Sequence, residues 1–229
     1  MIICSTYKNL HTTNTAFISQ FKLRHKCFLQ RQFYNVSEYE GLEYDQYDTP
    51  ASVYLVATDE NGHALGASRL TPLSHHSMLA DLWPEMVDDQ SIFTSQVAWE
   101  GTRFCIDHQL PPELRKKVKD ELVLAYLEFG LITRIDKIIG IMPSLVLRHV
   151  FSALDVDVIK IGRPLQIDGK RIQAASMRIT YEQLMRVRKK SGRYESILHY
   201  PRNSIENSFH FGSLSAETWS VDNRLVQAI

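Results

Sequence analysis

A mixed α/β domain is what the sequence predicts, and three stretches carry that expectation. "ASVYLVATDENGHALGASRL", residues 51–70, is two β-prone runs around Asp59-Glu60-Asn61-Gly62, where Asn-Gly tolerates the positive φ of a hairpin turn. "ELRKKVKDELVLAYLEFGLITR", just after Pro111-Pro112, has acids early and apolar Leu122, Ala125, Tyr126 and Phe129 at helical spacing. "KIIGIMP" is then a short, fully apolar strand.

The remaining elements follow in order. Phe17, Phe21, Arg24 and Phe28 recur at steps of four, three and four, so a helix from Asn14 to about Arg31 carries them on one face. "QFYNVSEYEGLEYDQYD" lacks sustained periodicity and reads as an acidic, aromatic loop running to Asp48. After the hairpin, "TPLSHHSMLADLWPEMVDDQSIF" is a long polar connection of the kind that is often functional. It leads into "VAWEGTRFCI", an apolar strand holding two opposite charges, Glu100 and Arg103. Beyond the long helix and "KIIGIMP", a helix runs from Ser144 to about Leu154. "DVIKIGRP" and "KRIQAASMRI" are strands separated by an Asp168-Gly169 turn, and a last helix starts near Tyr181.

Composition bounds the class of protein. With 229 residues and 44% hydrophobic content the chain supports one main domain, taken as 1–190. Residues 191–229 form a polar, mostly aperiodic C-terminal extension that Tyr200, Phe209, Phe211 and Trp219 could dock on that domain. Formal net charge is zero, which argues against a nucleic-acid partner, and no segment approaches the ~20 apolar residues of a membrane span. "MIICSTYKNL" lacks the features of an export signal, and Cys4, Cys27 and Cys105 are too widely spaced for a disulfide framework or a metal knuckle. A cytoplasmic protein is expected. His75-His76 has no acid or cysteine at ligand spacing and reads as a solvated loop, so no metal is expected.

The informative residues are charges at apolar positions. Arg24 in its stripe would cost several kcal/mol, on the order of a buried unpaired ion, unless acceptors met it. Asp45, Asp48 and Glu100 are enough acids to balance Arg24, Arg69 and Arg103. Two readings stand side by side: an internal ion-pair network that orders the loops, or a polar pocket for a zwitterionic, amino-acid-like ligand. Glu100 and Arg103 are three apart and would point to opposite faces of a regular strand. A bulge near Gly101 would bring both to one face and splay the strand from its neighbour, opening a wedge for a thioester carrier. The run Arg115, Lys116, Lys117, Lys119 is a basic helix face, solvated or set against an acidic partner.

Taken together these residues resemble the acyl-homoserine lactone synthases of bacterial quorum sensing. Arg24 and Phe28 are similar to the family's Arg-x-x-x-Phe, Asp45 and Asp48 to its acidic loop, Arg69 to its hairpin arginine, and Glu100 with Arg103 to its Glu-x-x-Arg strand. Tyr34 stands where the family usually has tryptophan and Trp83 where it usually has phenylalanine. "MPS", residues 142–144, lacks the threonine common in members that prefer 3-oxo chains.

The resemblance implies a fold like that of the GCN5-related N-acetyltransferases: a twisted, mostly antiparallel sheet with a V-shaped cleft and helices on both faces. It implies S-adenosyl-L-methionine as a substrate rather than a cofactor, and a fatty acyl group on acyl carrier protein or coenzyme A as donor. Glu100 and Arg103 would be catalytic, and Arg24, Phe28, Tyr34, Asp45, Asp48, Arg69, Trp83 and Thr102 would bind substrate. Arg115, Lys116, Lys117 and Lys119 would dock the carrier protein, and "LVLAYLEFGL" and "KIIGIMP" would line an acyl tunnel. The alternatives are a related acyltransferase that makes N-acyl amino acids, and a non-catalytic ligand-binding protein.

Overall fold

The structure, a computed structural model, describes residues 1–200. Strand β1 (Ile2–Thr6) leads to helix α1 (Leu10–His25), a π-helical stretch (Lys26–Arg31) and a small hairpin of β2 (Glu38–Tyr39) and β3 (Leu42–Glu43). Next come β4 (Val53–Thr58), β5 (Ala64–Pro72), the short α2 (Met78–Leu82), β6 (Ala98–Ile106), α3 (Pro112–Ile132), β7 (Lys137–Pro143) and α4 (Ser144–Val150). The chain then forms β8 (Val158–Lys160), β9 (Leu165–Ile167), β10 (Lys170–Arg178), α5 (Tyr181–Ser191) and β11 (Leu198–His199).

Nine of these strands make one sheet in the order β11-β1-β4-β5-β6-β7-β10-β8, with β9 on β10. Its pairs are antiparallel except β1–β11 and β6–β7. Helix α1 covers one face of β4 and β5, where Phe17 and Phe21 pack edge-on against the buried Tyr54 at 5.4 and 5.6 Å. Helix α3 covers the other and is buried along the whole run from Val118 to Gly130, apart from Lys119. At roughly 1.5–3 kcal/mol for each fully buried large apolar side chain, Leu122, Leu124, Leu127 and Phe129 make it the spine of the core.

The sheet forks at its centre. The parallel β6–β7 pair runs only from Ala98↔Lys137 to Glu100↔Ile139, after which β7 stays with β10 while β6 stays with β5. Two glycines sit at the crotch. A Cβ on Gly140 would lie 2.6 Å from the Gly101 carbonyl oxygen, and one on Gly101 would lie 2.8 Å from the Tyr126 hydroxyl.

Several expectations are corrected. The N-terminal "IICST" is a strand, buried between β4 and β11, although its alternation is hidden by a run of apolar and small residues. The first helix begins at Leu10 and turns π-helical at Lys26, so Phe28 lies in the wider coil rather than in a continuing α-helix. The acidic loop contains the β2–β3 hairpin, turned through Glu40 and Gly41 at positive φ. Asp168-Gly169 joins β9 to β10, so the hairpin partner of β10 is "LQI" rather than the preceding "VIK". The bulge of β6 falls not at Gly101, which pairs regularly with Leu70, but between Thr102 and Cys105, where Arg103 takes φ +53.

Beyond α5 the chain returns to the sheet. Thr180 caps α5 by accepting from the Gln183 N–H, and Gly192 ends it at positive φ. Glu128 on α3 accepts hydrogen bonds from Arg188, Ser196 and the Ile197 and Leu198 N–H groups, which lays β11 alongside β1. Tyr200 packs on the main core, whereas Phe209, Phe211 and Trp219 lie outside the described residues.

Candidate active site

On the α1 face the arginines and acids close into one network. Arg24, fully buried, donates from Nε to Glu43 at 2.5 Å and from both terminal nitrogens to Asp48 at 2.8 Å each. Arg69, equally buried, donates from Nε to the Thr102 hydroxyl at 2.9 Å and to both oxygens of Asp45, and its Nη1 lies 3.0 Å from Asp48. Arg103 donates from Nε to Glu43 at 3.0 Å and from Nη2 to Asp45 at 2.6 Å. Among the described residues its remaining terminal nitrogen meets only the Met78 sulfur, at 3.4 Å, and its side chain keeps 13% exposure.

Two buried cations, the partly buried Arg103 and three acids pair with each other, which is the condition under which such charges are tolerated in a core. Burial alone would raise the Asp48 carboxyl, but Arg24 and Arg69 more than reverse it and hold Asp48 well below the usual carboxylate range. Tyr54 completes the shell by donating to Asp48 at 2.9 Å.

One acid of this network was not anticipated, and one expected member is absent from it. Glu43, 0% exposed, bridges Arg24 and Arg103, the role assigned to Glu100 by the charge balance. Its signal was present: it belongs to the same acidic run, two residues before Asp45. Glu100 faces α2 instead, accepting the Met78 N–H at 2.8 Å on one oxygen and the Leu79 N–H at 2.9 Å on the other. Burial pushes its carboxyl above the usual glutamate value, partly opposed by these backbone bonds.

The aromatic residues divide. Phe28 and Tyr34 stack at 6.2 Å, and the Arg103 guanidinium sits 5.7 Å from the Phe28 ring. Trp83 caps the end of α2 and packs with the separate cluster of Leu73, Leu79 and Met86.

On the opposite face, beneath the fork, an apolar pocket is walled by Gly101, Tyr126, Ile138, Met142, Phe151 and Met177 among others. Tyr126 and "KIIGIMP" were expected there; the walls from α4, β8 and β10 were not, because apolar residues on those elements read as ordinary core. A second cavity opens near the start of α3, ringed by Arg31, His108, Arg115, Lys116, Lys119 and His149. Lys117 is exposed but does not border it. Lys116 and Lys119 both pair with Asp120, which neutralises part of this charge. Among the described residues no His, Cys, Asp or Glu cluster could hold a metal ion, and no helix is long and apolar enough to cross a membrane.

The family described as autoinducer synthase matches residues 8–187. An acyl-homoserine-lactone synthase of Vibrio anguillarum is 35% identical over 91 residues, 40% of this chain and 47% of that protein. An isovaleryl-homoserine lactone synthase of Bradyrhizobium diazoefficiens is 26% identical over 185 residues, 80% of this chain and 82% of that one. The solved structure of a CoA-dependent acyl-homoserine lactone synthase with SAM and isopentyl-CoA superimposes with a TM-score of 0.76 at 24% identity, over 88% of this chain and 93% of that one. A putative N-acetyltransferase from Lactobacillus plantarum superimposes at 0.51 and 14% identity, over 79% and 98%. At these identities the structural likeness shows the fold, the N-acetyltransferase-like forked sheet that was expected.

Proposed function

The chain belongs to the autoinducer synthase family, and from that premise we propose that it acylates S-adenosyl-L-methionine from an acyl thioester and closes the product to an N-acyl-homoserine lactone, releasing methylthioadenosine. The observation that carries this reading is the fork itself. At one point of the sheet a buried carboxylate and a charged ion-pair network on one face adjoin an apolar pocket on the other. A thioester threaded through the fork would meet an amine held on the charged side, with its acyl chain on the apolar side.

The first step needs a neutral amine, whereas free α-amines titrate at about 7.7–8.0. Glu100 takes that proton, directly or through a water. Its raised affinity for protons makes it a better base than one held by Arg103, and no such pairing exists. Backbone N–H groups of β6 beyond Glu100, which no longer face a partner on β7, are available to the thioester oxyanion. In the second step the methionyl carboxylate displaces the sulfonium from its own γ-carbon, so the site needs mainly to fold the chain for intramolecular attack.

The arginines now divide by supply of donors. Arg24 and Arg69 brace Glu43, Asp45 and Asp48, while Arg103, with one terminal nitrogen on a weak sulfur acceptor, meets the substrate carboxylate. Phe28 and Tyr34 cover the adenosyl part; Trp83 borders it at most from the α2 side. Arg115, Lys116 and Lys119, with Arg31 and the two histidines, receive the anionic part of the donor, whether coenzyme A or acyl carrier protein. The three buried free thiols agree with a reducing cytoplasm.

Mass spectrometry of products from S-adenosyl-L-methionine with acyl-CoA or acyl carrier protein thioesters tests the reading. Lactone and methylthioadenosine in equal amounts are expected. An open-chain N-acyl product without methylthioadenosine points to the N-acyl amino acid reaction, and no release of carrier thiol from any donor points to a binding protein.

A further inference from the structure

A row of four side chains crosses the mouth of the fork. Lys170, the first residue of β10 on the far arm, donates to the Tyr34 hydroxyl at 2.9 Å and sits 4.3 Å from the centre of that ring. Tyr34 stacks on Phe28, with ring planes 14° apart, and Phe28 in turn faces the Arg103 guanidinium at the bulge. The two arms that part at Glu100 are thus rejoined on the α1 side by a cation, two rings and a second cation. Lys170 and Tyr34 are 136 residues apart in sequence.

The backbone is bent to make this possible. Phe33 holds φ +56, a strained backbone conformation for a bulky residue, and is itself 83% exposed. That turn swings Tyr34 back so that its N–H reaches the Phe28 carbonyl at 2.9 Å. The widened coil from Lys26 to Arg31 carries Phe28 itself. Strain kept in a segment whose outward side chain packs on little is the mark of a conformation held for what its neighbour does.

The choice of a lysine matters. A permanent strut in this molecule is a doubly hydrogen-bonded arginine–carboxylate pair, as between Arg24 and Asp48. Lys170 offers a long flexible stem, one phenol and one ring face, a contact that breaks and re-forms at small cost.

We propose that Lys170 is a positioning residue, a latch that holds the Tyr34–Phe28 roof closed over the nucleoside part of S-adenosyl-L-methionine and releases it to let methylthioadenosine leave. This rests on the function proposed above. The family's usual tryptophan has no hydroxyl to receive the lysine, so the latch depends on the tyrosine of this chain.

The test compares wild type, Lys170→Met, Lys170→Arg, Tyr34→Phe and the Lys170→Met/Tyr34→Phe double variant in full-length protein. Lys170→Met is expected to raise the KM for S-adenosyl-L-methionine and the inhibition constant of methylthioadenosine about fivefold, given the worth of one cation–ring contact. The kcat and the KM for the acyl donor stay within twofold. Lys170→Arg restores most of the loss, Tyr34→Phe gives a smaller rise, and the double variant falls short of the product of the two singles. Without any ligand, amide exchange in residues 32–36 is faster in Lys170→Met than in wild type, with an unchanged unfolding midpoint. Unchanged exchange in that segment, or single effects that simply multiply, would overturn the latch. A wild type that consumes no S-adenosyl-L-methionine would overturn the enzymatic reading instead, leaving the exchange result to judge the roof on its own.

Discussion

The two faces of the forked sheet solve burial in opposite ways. On the α1 side three arginines, three acids, Thr102 and Tyr54 are locked by directional bonds, so that each residue dictates its neighbour. On the α3 side the pocket is walled by apolar groups and glycines for which volume is the main constraint. The charged face should therefore fail abruptly when one residue changes, and the apolar face should retune. That is the expected division of labour between a face that fixes one polar substrate and a face that accommodates an acyl chain.

The largest effect should come from breaking the charged side. Arg24→Met leaves three buried acids to two arginines, Arg69 and Arg103, and is expected to cost about 3–5 kcal/mol, read as a loss of the unfolding transition or a large fall in its urea midpoint. The same pairing sets the acid limit. Because Asp48 is held below its unfolded value, its contribution is complete above the unfolded carboxyl pKa of about 4 and lost as pH falls through the depressed native value. In Asp48→Asn the decline of the urea midpoint over that acid range should flatten.

Glu100 comes next. Replacing it with Gln removes the proposed base, with an expected fall in kcat/KM of about 10²-fold or more. The substitution also puts an amide where α2 needs an acceptor, so the fall alone does not identify a base. The pH profile does. Wild-type kcat/KM should climb through an apparent pKa above that of an ordinary glutamate, and Glu100→Gln should lose that limb. A limb that survives the substitution belongs to another group.

At the fork, Gly140→Ala drives a methyl toward the Gly101 carbonyl and should cost about 1–3 kcal/mol, with activity falling along with thermal stability. The smallest effect lies in the wall of the apolar pocket. Met142→Ala should shift the products toward longer acyl chains by about fourfold per added methylene, measured by mass spectrometry of lactones from mixed donors. Equal sensitivity at Met142 and Arg24 would break the contrast between the faces.

The same contrast explains what was legible in the sequence. Arg24, Arg69 and Arg103 stood out because a charge at an apolar position demands an explanation, and the structure gathers all three with Asp45 and Asp48. Glu43 escaped because an acid among acids in an aperiodic loop carries no periodic signal. The position of the bulge escaped because a glycine looks like the natural place for irregular backbone, whereas here Gly101 serves Tyr126 and the positive φ falls on Arg103. The pocket walls contributed by α4 and β10 could not be told from core, since Leu147 and Met177 have the same pattern whether they face a side chain or an acyl tail. Strand β1 was hidden for a related reason: five residues of which all but the half-buried Ile3 are buried show no clear alternation.

That strand has a practical consequence. Among the described residues β1 offers its outer row of amides and carbonyls to β11 through Ile2↔Leu198 and Ile3↔His199, and Glu128 holds that short cover in place. A chain cut after Gly192 would keep every residue of the proposed site yet bare a β-prone edge, "IICST", to the identical edge of another copy. Such a shortened protein should self-associate, and light scattering would detect this before any loss of turnover per folded molecule.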